Sequence, residues 1–87
     1  MKEFIDFIAK RLVNYPQEVK VDRLENEGDR ERYRLFVAPS DRGKIIGRSG
    51  RTIKSIKILV GAAAAREGRR ASFEIFDERG AVSRRSR

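Results

Sequence analysis

The stretch Gly47-Arg48-Ser49-Gly50 constrains the fold more than any other part of the chain. Isoleucine residues at helical spacing lie on both sides of it. A four-residue connection that reverses the chain between two helices needs unusual backbone angles, which glycine adopts freely. The pattern therefore predicts a short helix over 40–46, capped by Ser40, and a longer helix over 51–66.

Two other glycine motifs are excluded by their spacing. A P-loop has two glycines five positions apart, followed by Lys and then Ser or Thr. Here Gly43 and Gly47 are four positions apart, and Arg48 follows. A dinucleotide-binding fingerprint begins with glycines two positions apart, whereas Gly47 and Gly50 are three apart. A helix–GxxG–helix arrangement remains.

The rest of the chain predicts one more helix and three strands. Residues 2–14 form an amphipathic helix in this interpretation, and strands cover 19–25, 32–38 and 70–76. A right-handed crossover through two helices lets the last strand run parallel to one of the first two. The expected fold class is α+β, with the order α-β-β-α-α-β and a three-stranded mixed sheet covered on one face by three helices. The residues expected to face the core are Phe4, Ile5, Ile8, Leu12 and Val13, with Phe7 at the edge, then Tyr33, Leu35, Val37, Ile53, Ile56, Val60, Ala63, Ala64, Ala71, Phe73 and Ile75.

The 87 residues are expected to form a single domain over 1–77, followed by a flexible basic tail over 78–87. The net charge of +8 is concentrated in two segments. Residues 1–39 are balanced, whereas residues 40–66 hold seven Lys or Arg against one acid, and the final RRSR adds three arginines. Charge focused on a glycine-rich segment points to a polyanionic partner.

The composition excludes several classes of site. The chain has no Cys and no His, which excludes a disulfide framework, a zinc finger and a Cys or His nucleophile. The carboxylates are dispersed and form no evident acid–base pair. Glu3 and Asp6 interrupt the first apolar run, so no signal peptide is expected, and no apolar run approaches the roughly 20 residues that span a bilayer. We therefore expect a cytoplasmic protein with no enzymatic activity, cofactor, metal or membrane contact.

The GxxG turn has the features of a phosphate-binding site. Gly47 and Gly50 lack a Cβ, so a nucleic-acid backbone can approach the main chain closely. The helix that follows presents free N–H groups and partial positive charge. Arg48 and Ser49 at the tip are suited to pair with phosphate and to hydrogen-bond it, and the neighbouring isoleucines are expected to form an apolar floor for base faces. The predicted binding residues are Lys44, Ile45, Ile46, Gly47, Arg48, Ser49, Gly50, Arg51, Ile53 and Lys54.

The segment IIGRSGRTIKSI, from Ile45 to Ile56, resembles the signature of the KH domain family. The predicted element order is similar to the type II KH topology of bacteria. The N-terminal helix with NYPQEVKV resembles the small stand-alone bacterial KH proteins of the KhpA type, so the resemblance extends over nearly the whole chain. The segment REGRR before the last strand is short, so one wall of the binding groove is expected to be low.

The resemblance implies a single-stranded RNA-binding protein that grips about four nucleotides through the GxxG loop. It also implies a role as an RNA chaperone or post-transcriptional regulator. Members of the family pair with themselves or with a larger KH protein of the KhpB/Jag type, so a homodimer or such a heterodimer is expected.

The residues themselves also bear on the type of RNA-binding fold, on an alternative function and on a dimer surface. Few aromatic residues are expected to be exposed, which argues against RNA-binding folds that stack bases on a sheet. The alternative is a protein-interaction or ribosome-assembly adaptor built on a KH fold, but the basic GxxG disfavours it. An outward stripe on the long helix is the preferred dimer surface, ahead of Phe36 and Phe76 on the outer sheet face. The stripe consists of Ile58, Leu59, Ala62 and Ala65.

Overall fold

The computed structural model describes residues 1–24 and 28–77, and the elements within them follow the predicted order. The predicted tail over 78–87 lies outside the described residues, and so do residues 25–27 between the first two strands. The elements are α1 (Lys2–Leu12), β1 (Lys20–Arg23), β2 (Arg30–Val37), α2 (Arg42–Ile46), α3 (Arg51–Ala65) and β3 (Arg70–Asp77).

The three strands form one mixed sheet in the order β1-β2-β3. Strands β1 and β2 are antiparallel, with Val21 opposite Leu35, because a short connection returns the chain directly. Strands β2 and β3 are parallel, with Leu35 opposite Ile75, because the crossover through α2 and α3 brings the chain back to the same end. The α+β class and the mixed sheet are thus confirmed.

The core lies between the sheet and the three helices. Strand β2 alternates strictly, so that Tyr33, Leu35 and Val37 are buried while Arg30 and Arg32 face away from the helices. The buried cluster is completed by Ile5, Ala9, Val21, Ile45, Ile56, Val60, Phe73 and Ile75. No helix in the described residues is long and apolar enough to cross a membrane.

Helix α1 corrects part of the predicted core. Ala9, which was not among the residues predicted to face the core, is only 1% exposed, whereas Leu12 is 37% exposed. The helix ends at Leu12, and the next residue, Val13, is already extended. The apolar face is therefore rotated toward Ile5 and Ala9, where a small side chain permits close packing against the core.

The start of α2 also differs from the prediction. Ser40 is exposed in a 3₁₀ turn and makes no capping hydrogen bond. The adjacent Asp41 is completely buried, and its two carboxylate oxygens accept hydrogen bonds from the backbone N–H groups of Asn14 and Tyr15, each at 3.0 Å. The carboxylate therefore joins the end of α1 to the start of α2, which fixes the helix that leads into the glycine turn.

Candidate nucleic-acid interface

The GxxG turn has a backbone that depends on its glycines. Gly47 has φ 77° and ψ 173°, a region that is essentially restricted to glycine. Gly50 lies in the left-handed helical region, with φ 73° and ψ 16°. A hydrogen bond of 3.1 Å from the N–H of Gly50 to the carbonyl of Gly47 closes the turn. The tip is therefore a closed turn.

Ser49 is the residue at the tip that carries backbone strain. Its φ of 57° is the one positive φ at a non-glycine residue within the described part of the chain. Such angles are uncommon for residues with a Cβ and concentrate at ligand-binding sites. Both Ser49 and its neighbour Arg48 are exposed. The turn thus displays a hydroxyl and a guanidinium group outward, between two glycines.

The first turn of α3 has no side-chain cap next to this tip. The N–H of Arg51 donates to the carbonyl of Arg48, but Gly50 at the N-cap position has no side chain that could accept from the N–H groups that follow, and no acid lies in the first turn of the helix. Unsatisfied N–H groups and the helix dipole favour an anion at this position. Lys44, Arg51 and Lys54 are exposed around the turn and extend the positive charge.

The isoleucines near the turn have different roles. Ile45 is completely buried among the core residues, so it anchors α2 and offers no surface to a base. This corrects the expectation of an apolar floor at that position, because the inward face of α2 is needed to close the core. Ile46 and Ile53 are half-buried beside the turn, and they retain the surface that such a floor requires.

A shallow cleft of about 180 Å³ lies between α3 and β3. Its lining combines one helix residue, Lys57, with the edge strand β3, which contributes Ala71, Ser72, Phe73 and Glu74. The cleft was not predicted from the sequence. Lys57 lies one helical turn beyond Lys54, and this spacing was the available signal. The cations therefore continue along α3 from the glycine turn to the cleft.

A buried polar cluster fixes the segment between α3 and β3. Glu31 is 6% exposed, accepts a 2.6 Å hydrogen bond from the hydroxyl of Tyr33 and forms an ion pair with Arg69. Burial raises the pKa of Tyr33; the positive charge of Arg23 opposes this rise, and the negative charge of Glu3 adds to it. Arg69 is thus held against β2, and this arginine of the REGRR segment is engaged within the fold.

The predicted dimer stripe lies on the exposed side of α3. Ile58 is 63% exposed and Leu59 is 53% exposed, and both Ala62 and Ala65 are exposed as well. The competing pair, Phe36 and Phe76, is half-buried on the outer sheet face, with ring centroids 5.6 Å apart. The α3 stripe therefore presents the more accessible apolar surface of the two.

The described residues contain no group of three or more acidic side chains that could hold a metal ion. What the geometry provides is a strained basic turn, an open helix N-terminus and a cleft beside an edge strand. This combination is suited to binding a phosphate backbone and the bases attached to it.

Comparison with known proteins agrees with this arrangement. The family model for the KH domain of KhpA and KhpB matches residues 2–75. The chain belongs to the KhpA/KhpB KH-domain family. The glycine turn at 47–50 lies within the matched residues, and the order of helices and strands is that of the type II topology.

Curated relatives cover this family member almost completely. The RNA-binding protein KhpA of Chlamydia trachomatis is 44% identical over 91% of this chain and 100% of its own length. KhpA of Borreliella burgdorferi is 47% identical over 86% of this chain and 90% of its own. These relatives are named as RNA-binding proteins, and the family is not a family of enzymes, in agreement with the prediction of a non-enzymatic binding module.

One solved structure has a similar fold. A crystal structure of a variant of Era from Aquifex aeolicus has a TM-score of 0.59 and 23% sequence identity, over 87% of this chain and 29% of that one. The KH domain described here thus corresponds to less than a third of that protein, and the likeness shows the fold alone.

Proposed function

We propose that this protein binds single-stranded RNA in the cytoplasm, with the GxxG loop clamping the backbone of about four nucleotides. The observation that carries the proposal is the loop itself, in which two glycines with positive φ hold Arg48 and Ser49 outward beside the open N-terminus of α3. The curated relatives named as RNA-binding proteins support the same partner.

Each part of the site has a separate task in this proposal. The N–H groups at the start of α3 and the Arg48 guanidinium bind phosphate. The half-buried Ile46 and Ile53 contact base faces. Lys54 and Lys57 bind the phosphates of the RNA as it runs along α3 toward the α3–β3 cleft. Contacts from aliphatic side chains do not read base identity, so binding is permissive for sequence.

Permissive binding suits an RNA chaperone or a post-transcriptional regulator, and this is the role we propose. One short groove gives modest affinity for RNA. Two grooves in one dimer would raise the avidity for longer RNA, because the second groove binds at a high effective concentration. We therefore propose that the exposed stripe on α3 joins two copies of this chain, or one copy and a larger KH protein of the KhpB/Jag type.

The test is a double substitution at the loop tip, Arg48→Asp with Ser49→Asp. Both side chains are exposed, so the fold should persist. Affinity for a four-nucleotide RNA, measured by fluorescence anisotropy, should fall about tenfold or more because negative charge replaces the phosphate contacts. An unchanged affinity in the folded variant would remove the loop from the site.

A matched control separates a local effect from a change in net charge. Lys2→Asp with Gln17→Asp changes the formal charge by the same amount at two exposed positions outside the loop and the cleft. This variant should retain most of the affinity. An equal loss in both variants would show that overall charge, rather than the GxxG loop, determines binding.

A further inference from the structure

The open face of the sheet carries positive charge at one end. Arg30 lies opposite Arg70 across the parallel β2–β3 pair, and Arg32 lies opposite Ser72. All of these residues are exposed, and together with Ala71 they line a shallow cavity of about 320 Å³. We call Arg30, Arg32 and Arg70 the arginine cluster. It lies on the sheet face opposite the helices.

Within the described residues, no ion pair balances the charge of this cluster. In residues 1–24 and 28–77, no carboxylate lies within ion-pair distance of these three guanidinium groups. The next step along the sheet differs, since Arg34 pairs with Asp22 at 3.7 Å and lies opposite Glu74. Like charges opposite each other destabilise a sheet, so the position of Arg30 against Arg70 favours an anionic partner.

The cluster is continuous with the proposed RNA site. Ala71 and Ser72 line both the cavity of the arginine cluster and the cleft between α3 and β3. Among the described strands, β3 is an edge strand that pairs with β2 alone. An RNA that leaves the cleft therefore crosses only the edge strand β3 to reach Arg70 and Arg32.

We propose that the arginine cluster binds the phosphates of a single-stranded RNA whose preceding nucleotides occupy the α3–β3 cleft. The binding site thereby extends beyond four nucleotides, around the edge of β3 and onto the open sheet face. This inference rests on the proposed function. Charge complementarity selects the ligand, because a phosphate backbone supplies the repeated negative charge that an arginine cluster binds.

The experiment measures the affinities of wild type and of the double variant Arg32→Gln with Arg70→Gln for RNAs of four and eight nucleotides. Wild type should bind the longer RNA more tightly, and the variant should lose about tenfold in affinity for it while binding the shorter RNA unchanged. The log–log salt slope for the longer RNA should become shallower by about 1.4, at roughly 0.7 per lost phosphate contact. Sedimentation of each complex checks that wild type and variant bind with the same stoichiometry.

Lys2→Gln with Lys20→Gln is the matched control. It removes two positive charges, one of them from β1 in the sheet, and should leave both affinities unchanged. Equal affinity of wild type and the Arg32/Arg70 variant for the longer RNA would overturn the proposal. An equal loss for both RNA lengths would also overturn it. The proposal would fail as well if the variant bound both RNAs normally and lost only the binding of an acidic polyglutamate peptide, because the partner would then be a protein.

The loop substitutions distinguish failure of this inference from failure of the proposed function. If Arg48→Asp with Ser49→Asp leaves the affinity for four nucleotides intact, the GxxG proposal fails. If that affinity falls as expected while the Arg32/Arg70 variant keeps the full length dependence, the GxxG proposal stands and the arginine cluster is not part of the RNA site.

Discussion

A Cβ added to Gly47 would lie 2.2 Å from Oγ1 of Thr52 and 2.6 Å from its Cβ. The first turn of α3 therefore packs directly against the first glycine of the GxxG loop. Gly50 has no such neighbour, since nothing lies within 4 Å of the equivalent position. The two glycines of the motif thus meet different requirements, one for close approach and backbone angle and the other for backbone angle alone.

We predict that Gly47→Ala destabilises the protein more than Gly50→Ala does. Alanine at 47 meets both the clash with Thr52 and a backbone region that costs about 1–3 kcal/mol, whereas alanine at 50 meets only the left-handed region, at about 1–2 kcal/mol. Urea unfolding followed by circular dichroism measures the loss of stability in both variants. Gly43→Ala is the control: it lies in α2 with open space around it and should be neutral or stabilising by up to about 1 kcal/mol. Equal costs at 47 and 50 would contradict the role assigned to Thr52.

The Asp41 carboxylate should be worth far more than an exposed ion pair. Asp41→Ala leaves the partly buried N–H groups of Asn14 and Tyr15 without their acceptor, at an expected cost of roughly 2–5 kcal/mol in the free energy of unfolding. The control is Asp6→Ala, which removes an i,i+4 ion pair with Lys10 of 3.2 Å and should cost about 0.3–0.5 kcal/mol. Similar thermal midpoints for the two variants would show that Asp41 does not join α1 to α2.

The raised pKa of Tyr33 predicts a loss of stability at alkaline pH. The folded state holds this proton more tightly than the unfolded state, in which tyrosine titrates at about pH 10. The contribution of this shifted pKa to the free energy of unfolding is therefore complete below about pH 10, and it is lost as the pH rises through the folded-state pKa. Urea unfolding of wild type and Tyr33→Phe from about pH 8 to pH 11 measures this contribution, since other titrating groups are common to both proteins.

Tyr33→Phe also removes the hydrogen bond to Glu31. It should be less stable than wild type by about 1.5–3 kcal/mol near pH 8, because the acceptor is a carboxylate. Its stability should then fall less steeply than that of wild type above pH 10. Parallel curves for the two proteins would refute a perturbed titration at Tyr33.

The stripe on α3 should mediate self-association. Leu59→Asp places a charge among Ile58, Ala62 and Ala65, so it should give monomers at tens of micromolar with unchanged helical content. Phe7→Asp is the control, since Phe7 is 55% exposed, close to the 53% of Leu59, but lies on α1. Sedimentation velocity distinguishes the outcomes. A monomeric wild type at this concentration would exclude the homodimer and leave Ile58 as either a lone surface residue or a contact for a different KH protein.

Binding to a four-nucleotide RNA should depend on salt only moderately. About two to four cations around the loop meet phosphate, and each contributes about 0.7 for a single strand, so the log–log slope should be about −1.5 to −3. Titrations across a range of potassium chloride concentrations give this value. A slope near zero would mean that the basic segment does not contact phosphate.

The sequence by itself determined the helices, strands and turns through local physics. The alternation of Tyr33, Leu35 and Val37 predicts a half-buried strand, and the glycines at 47 and 50 predict a turn between two helices, because both signals lie within a few consecutive residues. The outward position of Ile58 followed in the same way from helical periodicity and is confirmed by its exposure.

Tertiary structure decided which charged residues are used within the fold and which remain on its surface. Asp41 and Glu31 resemble other surface acids in the sequence, yet each is buried against groups distant along the chain, at Asn14 and Tyr15 in one case and at Arg69 in the other. The meeting of Arg30 with Arg70, and the cleft beside β3, arise from the same cause. Strand register and crossover direction bring these residues together, and neither is encoded in the spacing of nearby residues.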